Sequence, residues 1–330
     1  MERRGWTAAG IYTGFQKSAN LIPLRGKRVY LQRMVFSLTF VLTLLSAASF
    51  AGFFGALLGV GGGVFIVPIM VLAFHLPMKI AVAASLVSVI ATSNAGGSSY
   101  VDQHITNLRL GMFLEIATTL GALSGSILAL FLQEWVMLLV FTILLAYMGY
   151  SSFSTRKVDD ERIAANDFSQ AKPDRLAAFL DLRGTYHDEA AGRDVTYVVT
   201  GVPAGAAISC LAGLASGLLG VGGGVLKVSA MNSYMNVPMK VAVGTSKLMI
   251  GVTAAVGSIL FFMAGLIHFY VVAPVALGTT LGATLGTHIM NRLHSESLKW
   301  LFAILMIFLA YGMLAKGLDL RFNMHIPVFL

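Results

Sequence analysis

The chain has 330 residues, of which 57% are hydrophobic and 12% charged, with a formal net charge of +8. Soluble domains carry about twice that charged fraction. The composition therefore excludes a water-soluble globular domain and predicts an all-α polytopic membrane protein in a lipid bilayer. The basic residues cluster in flanks and loops and form no stripe, which argues against a nucleic-acid partner and fits membrane orientation.

The apolar segments are long enough to cross about 30 Å of hydrocarbon. After a basic segment at 1–33 they run over 34–58, 78–99, 110–132 and 135–153, and after a polar linker at 154–194 they run over 195–219, 239–264, 270–290 and 298–316. We predict eight spans in two transmembrane repeats, 34–153 and 195–316, followed by a tail at 317–330.

Two further apolar pieces, 64–76 and 225–237, are shorter. About a dozen helical residues reach only about 18 Å, so these pieces are predicted to be half-helices or re-entrant segments rather than spans. The linker contains one apolar stretch, DRLAAFLDL at 174–182, which indicates a short helix.

The two halves of the chain repeat each other. A constant offset of 161 residues pairs Ala51 with Ala212 and places ALLGVGGGVF (56–65) on GLLGVGGGVL (217–226). The same offset aligns PMKIAVAAS with PMKVAVGTS. Matches this dense indicate an internal duplication, and secondary transporters built from such repeats bind their substrate where the repeats meet.

The distribution of basic residues predicts the topology. The basic N-terminal segment, the linker and the C-terminus all favour the cytoplasmic side by the positive-inside rule. Four crossings per half would place all three there and would give the two halves the same orientation. This prediction depends on the two short apolar pieces not crossing the membrane.

Each glycine run is predicted to break a helix, because a glycine in a helix interior costs about 1 kcal/mol relative to alanine. The glycines are Gly59, Gly61, Gly62 and Gly63 in the first copy and Gly220, Gly222, Gly223 and Gly224 in the second. In broken transporter helices the freed amides and the positive end of the following half-helix face an anionic substrate. The alternative is that these glycines only allow close helix packing, although packing motifs favour a spacing of four.

Two four-helix halves, each with a Gly-Val-Gly-Gly-Gly motif followed by proline and lysine, resemble the TauE/SafE sulfite-exporter family of membrane permeases. The resemblance covers nearly all of 34–316. It implies transport of a small sulfur-containing anion, such as sulfite, sulfoacetate or another organosulfonate, across the cell (inner) membrane. It leaves the substrate and the direction of transport open.

Charged residues inside apolar segments are the next candidates, since an ionisable group within a membrane is a functional hypothesis by default. Lys227 and Lys247 stand where the first half has Ile66 and Leu86, so the second half carries two additional charges. They are candidates to contact the anion or its pathway. Snorkelling of Lys227, or stabilisation of the interface between the halves by both, are the alternatives.

Further polar residues complete the candidate site. Lys79 and Lys240 occupy equivalent places at the start of a span, on the outer side in this topology, and either attract anions or snorkel. Glu115 is a candidate proton relay, with protons as the coupling ion. Ser85, Thr245 and Ser246 can donate to an oxyanion, although hydroxyls in membrane helices more often bond to their own backbone.

Several classes of chemistry find no support in the sequence. Cys210 is the single cysteine, which excludes an intrachain disulfide and a cysteine-based metal site. The histidines show no metal-ligand spacing, and no nucleophile, base and orienting residue fall into a pattern. We therefore predict no cofactor, no metal and no enzymatic activity.

A secondary transporter that exports a small sulfur-containing anion by alternating access around the paired glycine loops is the leading hypothesis. A passive anion channel and a carrier for non-sulfur organic acids stay open as alternatives, and so does a homo-oligomer. A non-transporting scaffold or intramembrane enzyme would predict no anion binding.

Overall fold

The computed structural model of the protein describes residues 38–57, 62–102, 105–151, 168, 171, 173–188, 192–290 and 295–322. The helices are α1 (Leu38–Leu57), α2 (Gly63–Leu72), α3 (Met78–Asp102), α4 (Leu108–Phe131), α5 (Glu134–Ser151), α6 (Arg175–Phe179), α7 (Val202–Leu219), α8 (Gly224–Tyr234), α9 (Met239–Met263), α10 (Phe269–Met290) and α11 (Ser295–Phe322). An antiparallel hairpin of β1 (Arg183–Asp188) and β2 (Arg193–Val198) lies between α6 and α7.

Within the described part of the chain, six helices are long and apolar enough to cross a membrane: α1, α4, α7, α9, α10 and α11. The predicted mostly helical polytopic membrane protein is confirmed at this level. The other two predicted spans fall on α3 and α5, whose apolar parts, Met78–Asn94 and Glu134–Tyr150, are shorter. A total of eight spans stays a prediction.

Large apolar side chains on the outer surface mark where lipid would contact the helices. On α4 the exposed residues Met112, Ile116 and Leu120 follow one another at a spacing of four. On α10 the exposed residues Leu277 and Leu281 do the same. A spacing of four keeps side chains on one helix face, so each helix presents an apolar stripe to the surroundings.

Glycine allows two pairs of helices to cross at very short distance. On α4 and α7, which run in parallel, Gly121 faces the carbonyl oxygen of Cys210 and Gly213 faces that of Thr118, with about 2 Å from each oxygen to the place a Cβ would take. The pair of α1 and α10 is packed in the same way. These glycines recur at a spacing of four along α4, α7 and α10, as small-residue packing motifs do.

The helix interruptions predicted at the glycine runs are present. The helix α7 ends at Leu219, the helix α8 begins at Gly224, and Gly220, Gly222 and Gly223 between them have φ angles of 74°, 77° and 67°. Only glycine adopts such positive φ angles without steric cost. In the first copy the interruption falls between α1 and α2, and Gly59 and Gly61 lie outside the described residues.

The helices recur at the spacing found in the sequence, but they run in opposite directions. The helices α2, α3, α4 and α5 begin 161 residues before α8, α9, α10 and α11. Leu86 of α3 packs against Gly257 of α9, and further along α3 Ser93 packs against Gly251, so the two equivalent helices are antiparallel. The helices α5 and α11 are antiparallel as well. The predicted shared orientation of the halves is therefore wrong.

The physical reason lies in the short helices. Gly63, at the start of α2, packs against Ser85 and Val89 on α3, while a short turn after Leu72 leads into the beginning of α3. Consequently α2 runs antiparallel to α3 and takes the chain back through the helix layer. Each half thus changes direction once more than four full spans would allow, and an odd number of passes inverts the second half.

This geometry separates two faces of the molecule. The start of α1 and the end of α11 share one face, here called the termini face: Phe40 stacks on Phe74 beside α2, and Lys316 of α11 donates to the carbonyl of Val71. Arg321 then lies over the ring of Trp135 at the start of α5. The opposite end of α5 leads into the linker, so linker and termini are not on one side as predicted.

The linker packs on the other face, here called the linker face. Tyr186, Val195 and Tyr197 point from the hairpin into a buried cluster with Leu110 of α4 and Met235 after α8. The short helix predicted within 174–182 is present as α6, but the hairpin was not foreseen. The β-branched and aromatic residues on either side of its turn were the available signal.

Candidate functional site

The two glycine loops meet between the halves. Gly63 at the start of α2 is in contact with the carbonyl oxygen of Gly220, and the buried hydroxyl of Ser85 donates to Gly220 O at 2.7 Å and approaches Gly63 O at 3.4 Å. Gly222 packs against Val89 of α3 and Ile250 of α9. The structure thus brings together glycines of both runs at the centre of the molecule.

The second loop presents a series of backbone N–H groups. Gly220 N donates to Ser216 O, and the next backbone donor is Lys227 N, which binds Gly223 O. Between them, the N–H groups of residues 221–226 have no hydrogen-bond acceptor among the described residues. These groups include the free amides of the first turn of α8, where the helix dipole is positive.

A small cavity adjoins these amides between α5, α7 and α8. It is lined almost entirely by apolar atoms, including those of Leu144 and Met148 of α5, and Ser216, Gly223 and Gly224 border it. Ser216 is fully buried, and its hydroxyl has no partner within the described part of the chain. The cavity holds about one water molecule, so a larger guest requires the lining helices to move.

Sequence reasoning missed Ser216. Its counterpart in the first half is Gly55, and nothing in its spacing distinguishes it from the other small residues of α7. The available signal was its place on the helix that ends at the glycine run, one turn before Gly220. A helix puts residues four apart on one face, which directs this hydroxyl toward the loop.

In the first loop the structure describes Gly62 and Gly63. Gly62 has a right-handed conformation, with φ −63°, and its carbonyl oxygen accepts from the N–H groups of Phe65 and Ile66. The helix α2 that follows is apolar along its whole length. Ser85 lies near Gly63 and Thr279 near Gly62, so the polar side chains beside these described amides come from other helices than α2.

Lys227 and Glu115 form a buried group that the sequence did not predict as a pair. Lys227 Nζ donates to the hydroxyl of Thr253 on α9 at 2.7 Å, and this hydroxyl lies 2.9 Å from Glu115 Oε1 on α4. Lys227 Nζ is 3.9 Å from Glu115 Oε2, which also accepts from Thr118. The signal was available: ionisable residues inside a membrane usually pair with one another.

The three candidate hydroxyls contact backbone groups. Besides Ser85, the hydroxyl of Ser246 approaches Gly224 O at 3.3 Å, and Thr245 Oγ1 accepts from Asn107 N at 3.0 Å. Ser85 and Ser246 therefore support the two glycine loops at equivalent places. Thr245 joins the start of α4 to α9.

The remaining lysines lie away from the cavity. Lys79 Nζ donates to Leu130 O at 2.6 Å, and Glu134 accepts from the N–H of Met78, so both side chains fasten the start of α3 to the turn between α4 and α5. Lys79 lies toward the termini face and the exposed Lys240 toward the linker face, which contradicts their predicted place on one outer side. Lys247 is half-buried on α9.

This arrangement can bind an oxyanion. A cluster of backbone N–H groups with one hydroxyl supplies hydrogen-bond donors in the right number for a small tetrahedral or pyramidal anion, and the positive helix end adds electrostatic attraction. Over the described residues no group of three or more His, Cys, Asp or Glu side chains is placed to hold a metal ion.

Comparison with known proteins gives a consistent picture. YunE of Bacillus subtilis (strain 168), named a probable membrane transporter protein, is 25% identical over 275 residues, which are 81% of this chain and 95% of that one. YdhB of the same strain, also a probable membrane transporter protein, is 22% identical over 73% of this chain and 87% of its own length. A probable membrane transporter protein of Xylella fastidiosa (strain 9a5c) is 24% identical over 75% and 84%. No solved structure gives a significant match.

The family comparison covers most of the chain. The sequence profile described as "Sulfite exporter TauE/SafE" matches residues 44–313, a range that contains both glycine runs, the linker and every candidate residue discussed above. The relatives and the apolar helices agree with a membrane transporter. The chain belongs to the sulfite exporter TauE/SafE family.

Proposed function

We propose that the protein is a secondary transporter that exports a small sulfur-containing oxyanion, such as sulfite, sulfoacetate or another organosulfonate. The observation that carries the proposal is the cavity at the second glycine loop. There the fully buried hydroxyl of Ser216, which has no partner among the described residues, lies next to the loop whose N–H groups at 221–226 have no acceptor in the described structure. Burying a hydroxyl without a hydrogen-bond partner costs about 1–3 kcal/mol of stability. A bound oxyanion would supply the missing acceptor.

The binding residues follow from this geometry. Gly223 and Gly224, which border the cavity, would contribute backbone N–H groups, and Ser216 would contribute its hydroxyl. Gly220, Gly63 and Ser85 hold the two loops together at the interface of the halves. The first loop then serves as the surface against which the second moves.

Transport requires that the cavity open to each side in turn. Its present size excludes a sulfur oxyanion, so binding would require the lining helices to move apart. The short helix α8 is the natural moving part, because glycines with positive φ precede it and a turn follows it. An anion that leaves a negative cell interior gains about 2.3 kcal/mol per charge per 100 mV, which favours export.

The membrane arrangement completes the proposal. We infer that α3 and α5, like α9 and α11, cross the cell membrane, giving eight long spans, and that α2 and α8 each add a return pass through part of the layer, which inverts the two duplicated halves. Residues 1–33 carry seven Lys and Arg residues and one acidic residue, which assigns the termini face to the cytoplasm. The linker would then face outward, and labelling of a cysteine introduced at Gly192 by a membrane-impermeant reagent tests this.

Flux measurements with purified protein in liposomes test the function. We expect saturable flux of sulfite or sulfoacetate, and a loss of at least about tenfold in Ser216→Ala, since one lost hydrogen bond to an anion is worth about 1.5–3 kcal/mol. The matched control is Ser209→Ala, because Ser209 is on the same helix, equally buried and also without a partner among the described residues, yet outside the cavity lining.

Each outcome has a definite meaning. Equal flux in the two serine variants would contradict the site, and no flux of any sulfur anion would contradict the substrate class. Flux that does not saturate would favour a passive channel, and preference for carboxylates over sulfonates would favour a carrier for organic acids.

A further inference from the structure

The two charges beside the second glycine loop come from different halves, Glu115 from the first and Lys227 from the second. At the offset of 161 residues, Lys227 and Glu115 correspond to Ile66 and Ala276, whereas Thr253 corresponds to Thr92, so the hydroxyl is duplicated and the charges are not. The equivalent positions show that the fold accommodates apolar residues at these places. The charges are therefore additions that the packing of the helices does not require.

Their geometry separates the charges rather than joining them tightly. The ammonium of Lys227 and the carboxylate of Glu115 are 3.9 Å apart and are bridged by the hydroxyl of Thr253. Lys227 is 0% exposed and the side chain of Glu115 is 14% exposed. The carboxylate therefore reaches the surface of the helix bundle, whereas the ammonium does not.

The place of Lys227 connects this pair to the anion site. Lys227 lies in the first turn of α8, directly after Val225 and Leu226, which line the cavity, and its ammonium points toward α9 and α4. While Glu115 is ionised, its charge balances that of the ammonium, and the region beside the cavity is close to neutral. When Glu115 is protonated, a buried ammonium remains without a counter-ion, a state that costs several kcal/mol unless another anion approaches.

We propose that Glu115 is the proton-carrying group of the transport cycle and that Lys227 is the cation it releases to the substrate, so that one proton accompanies each anion and a divalent anion moves with one net negative charge, which the membrane potential still drives outward. The proposal rests on the proposed function. A proton binds the Glu115 carboxylate as the anion enters beside Lys227, and the proton leaves to water as the anion departs. By linkage, each of the two binding events strengthens the other by the same factor.

No other group facing the pair provides an equivalent switch. The helix α7 has no Asp, Glu, Lys, Arg or His in its sequence, and its one titratable side chain is the thiol of Cys210. The charged groups on the elements packed against Glu115 are Lys227 on α8, Lys240 and Lys247 on α9, and Arg109 on α4, which pairs with Asp181 at the linker face. All of these groups except Asp181 are cationic. Asp181 pairs with Arg109, which lies six residues before Glu115 on α4.

The test is sulfoacetate affinity of the full-length protein between about pH 6 and 8, where this probe does not change its own ionisation. We expect the Kd of the unaltered protein to fall by up to about tenfold for each pH unit of acidification, as required when one proton binds with one anion. In Glu115→Gln, which keeps a neutral group of the same shape, the Kd should be independent of pH. Asp181→Asn is the control and should retain the pH dependence.

A second variant tests the proposal even if Glu115→Gln fails to fold. The double substitution Lys227→Ile with Glu115→Ala reproduces the residues at the equivalent positions, Ile66 and Ala276, leaves no unpaired charge and should also abolish the pH dependence. A pH-sensitive dye inside liposomes should report anion-driven proton movement for the unaltered protein and none for this variant.

The results that would overturn the proton coupling differ from those that would overturn the proposed function. Unchanged pH dependence in Glu115→Gln, or in the double variant, overturns the proton coupling while leaving the anion site intact. Absence of sulfoacetate, sulfite and sulfate binding at every pH overturns the transporter assignment itself.

Discussion

Gly62 and Gly223 hold equivalent places in the two Gly-Val-Gly-Gly-Gly runs but take different backbone conformations. Gly62 has φ −63°, whereas Gly223 has φ 67°. A Cβ on Gly223 would lie 2.6 Å from Ala212 O, but on Gly62 its nearest contacts are at 3.6 Å. Equivalent residues of an identical sequence thus differ in conformation and in surroundings, and only the place of Gly223 excludes a side chain.

The half-helices that follow the two loops also differ, both in their residues and in what holds their far ends. The helix α2 has the sequence GVFIVPIMVL, entirely apolar and with Pro68 inside it, whereas α8 reads GVLKVSAMNSY. At the far end α2 is held by Lys316 of α11, while α8 is held by the linker through Thr200 and Asn236. The two half-helices are thus duplicated in backbone, but only α8 carries polar residues and a contact with the linker.

The largest expected effect comes from adding one methyl group to each loop. Gly223→Ala should lower the free energy of unfolding by about 3 kcal/mol or more, because the new Cβ overlaps a backbone oxygen and the positive φ becomes strained. Gly62→Ala should change stability by less than about 1 kcal/mol, since its conformation is helical and open. Thermal unfolding in detergent and sulfite flux measure both; equal losses would remove the distinction between the loops.

A second comparison concerns the residues that follow the half-helices. His75 and Asn236 are equivalent by the offset and share positive φ angles of 51° and 54°. Glycine at either place removes backbone strain of about 1 kcal/mol. Asn236→Gly also deletes two hydrogen bonds from Nδ2 to the carbonyls of Phe168 and Val198, so it should destabilise by about 1–2 kcal/mol.

His75→Gly is the matched control, since the His75 side chain is exposed. It should leave the protein equally stable or more stable in the same unfolding assay. Destabilisation of similar size in both variants would show that the linker does not hold α8.

The element pattern was predictable from the sequence, and the helix directions were not. Hydropathy and the offset of 161 residues placed the helix starts at Met78 and Met239 close to where they are. The orientation of the second half depended on whether α2, with ten residues, and α8, with eleven, each count as a pass through the helix layer. Length alone cannot decide that, because a short helix buried among others can run through part of the layer without facing lipid.

The candidate site was predictable in its backbone and not in its side chains. A glycine run is recognisable in the sequence itself, so the loops at Gly220 and Gly63 could be predicted. The pairing of Lys227 with Glu115 joins residues 112 positions apart, on helices whose neighbours the sequence does not specify. Ser216 was equally hidden, since a serine without a partner looks in sequence like any other serine.

A smaller effect tests how the linker is seated. Tyr197 is buried and its hydroxyl accepts from Asn107 Nδ2 at 2.9 Å. Tyr197→Phe should cost about 1 kcal/mol at neutral pH by leaving that donor without its partner. Tyr150→Phe, at a tyrosine that is 80% exposed on α5, is the control and should have no effect.

The same residue gives the linker a defined pH dependence. Burial raises the pKa of Tyr197 from 10 to about 12, so the unfolded chain ionises first. The stability that Tyr197 contributes is complete below pH 10 and is lost as the pH rises to about 12, by up to about 2.7 kcal/mol. Unfolding midpoints at pH 9 and 11 should diverge more for the unaltered protein than for Tyr197→Phe.

The smallest effect is expected at the surface contact of the linker. Asp181 accepts from Arg109 at 3.0 Å and from Arg183 at 2.7 Å, but all three side chains are at least half exposed. Exposed ion pairs contribute about 0.2–1 kcal/mol and are screened by salt, and asparagine tolerates the positive φ of 49° at this position. Asp181→Asn should therefore shift the unfolding midpoint less than Tyr197→Phe does, and high salt should abolish the shift. A larger shift than that of Tyr197→Phe would mean that charge, rather than the buried contact with Asn107, seats the linker over the second half.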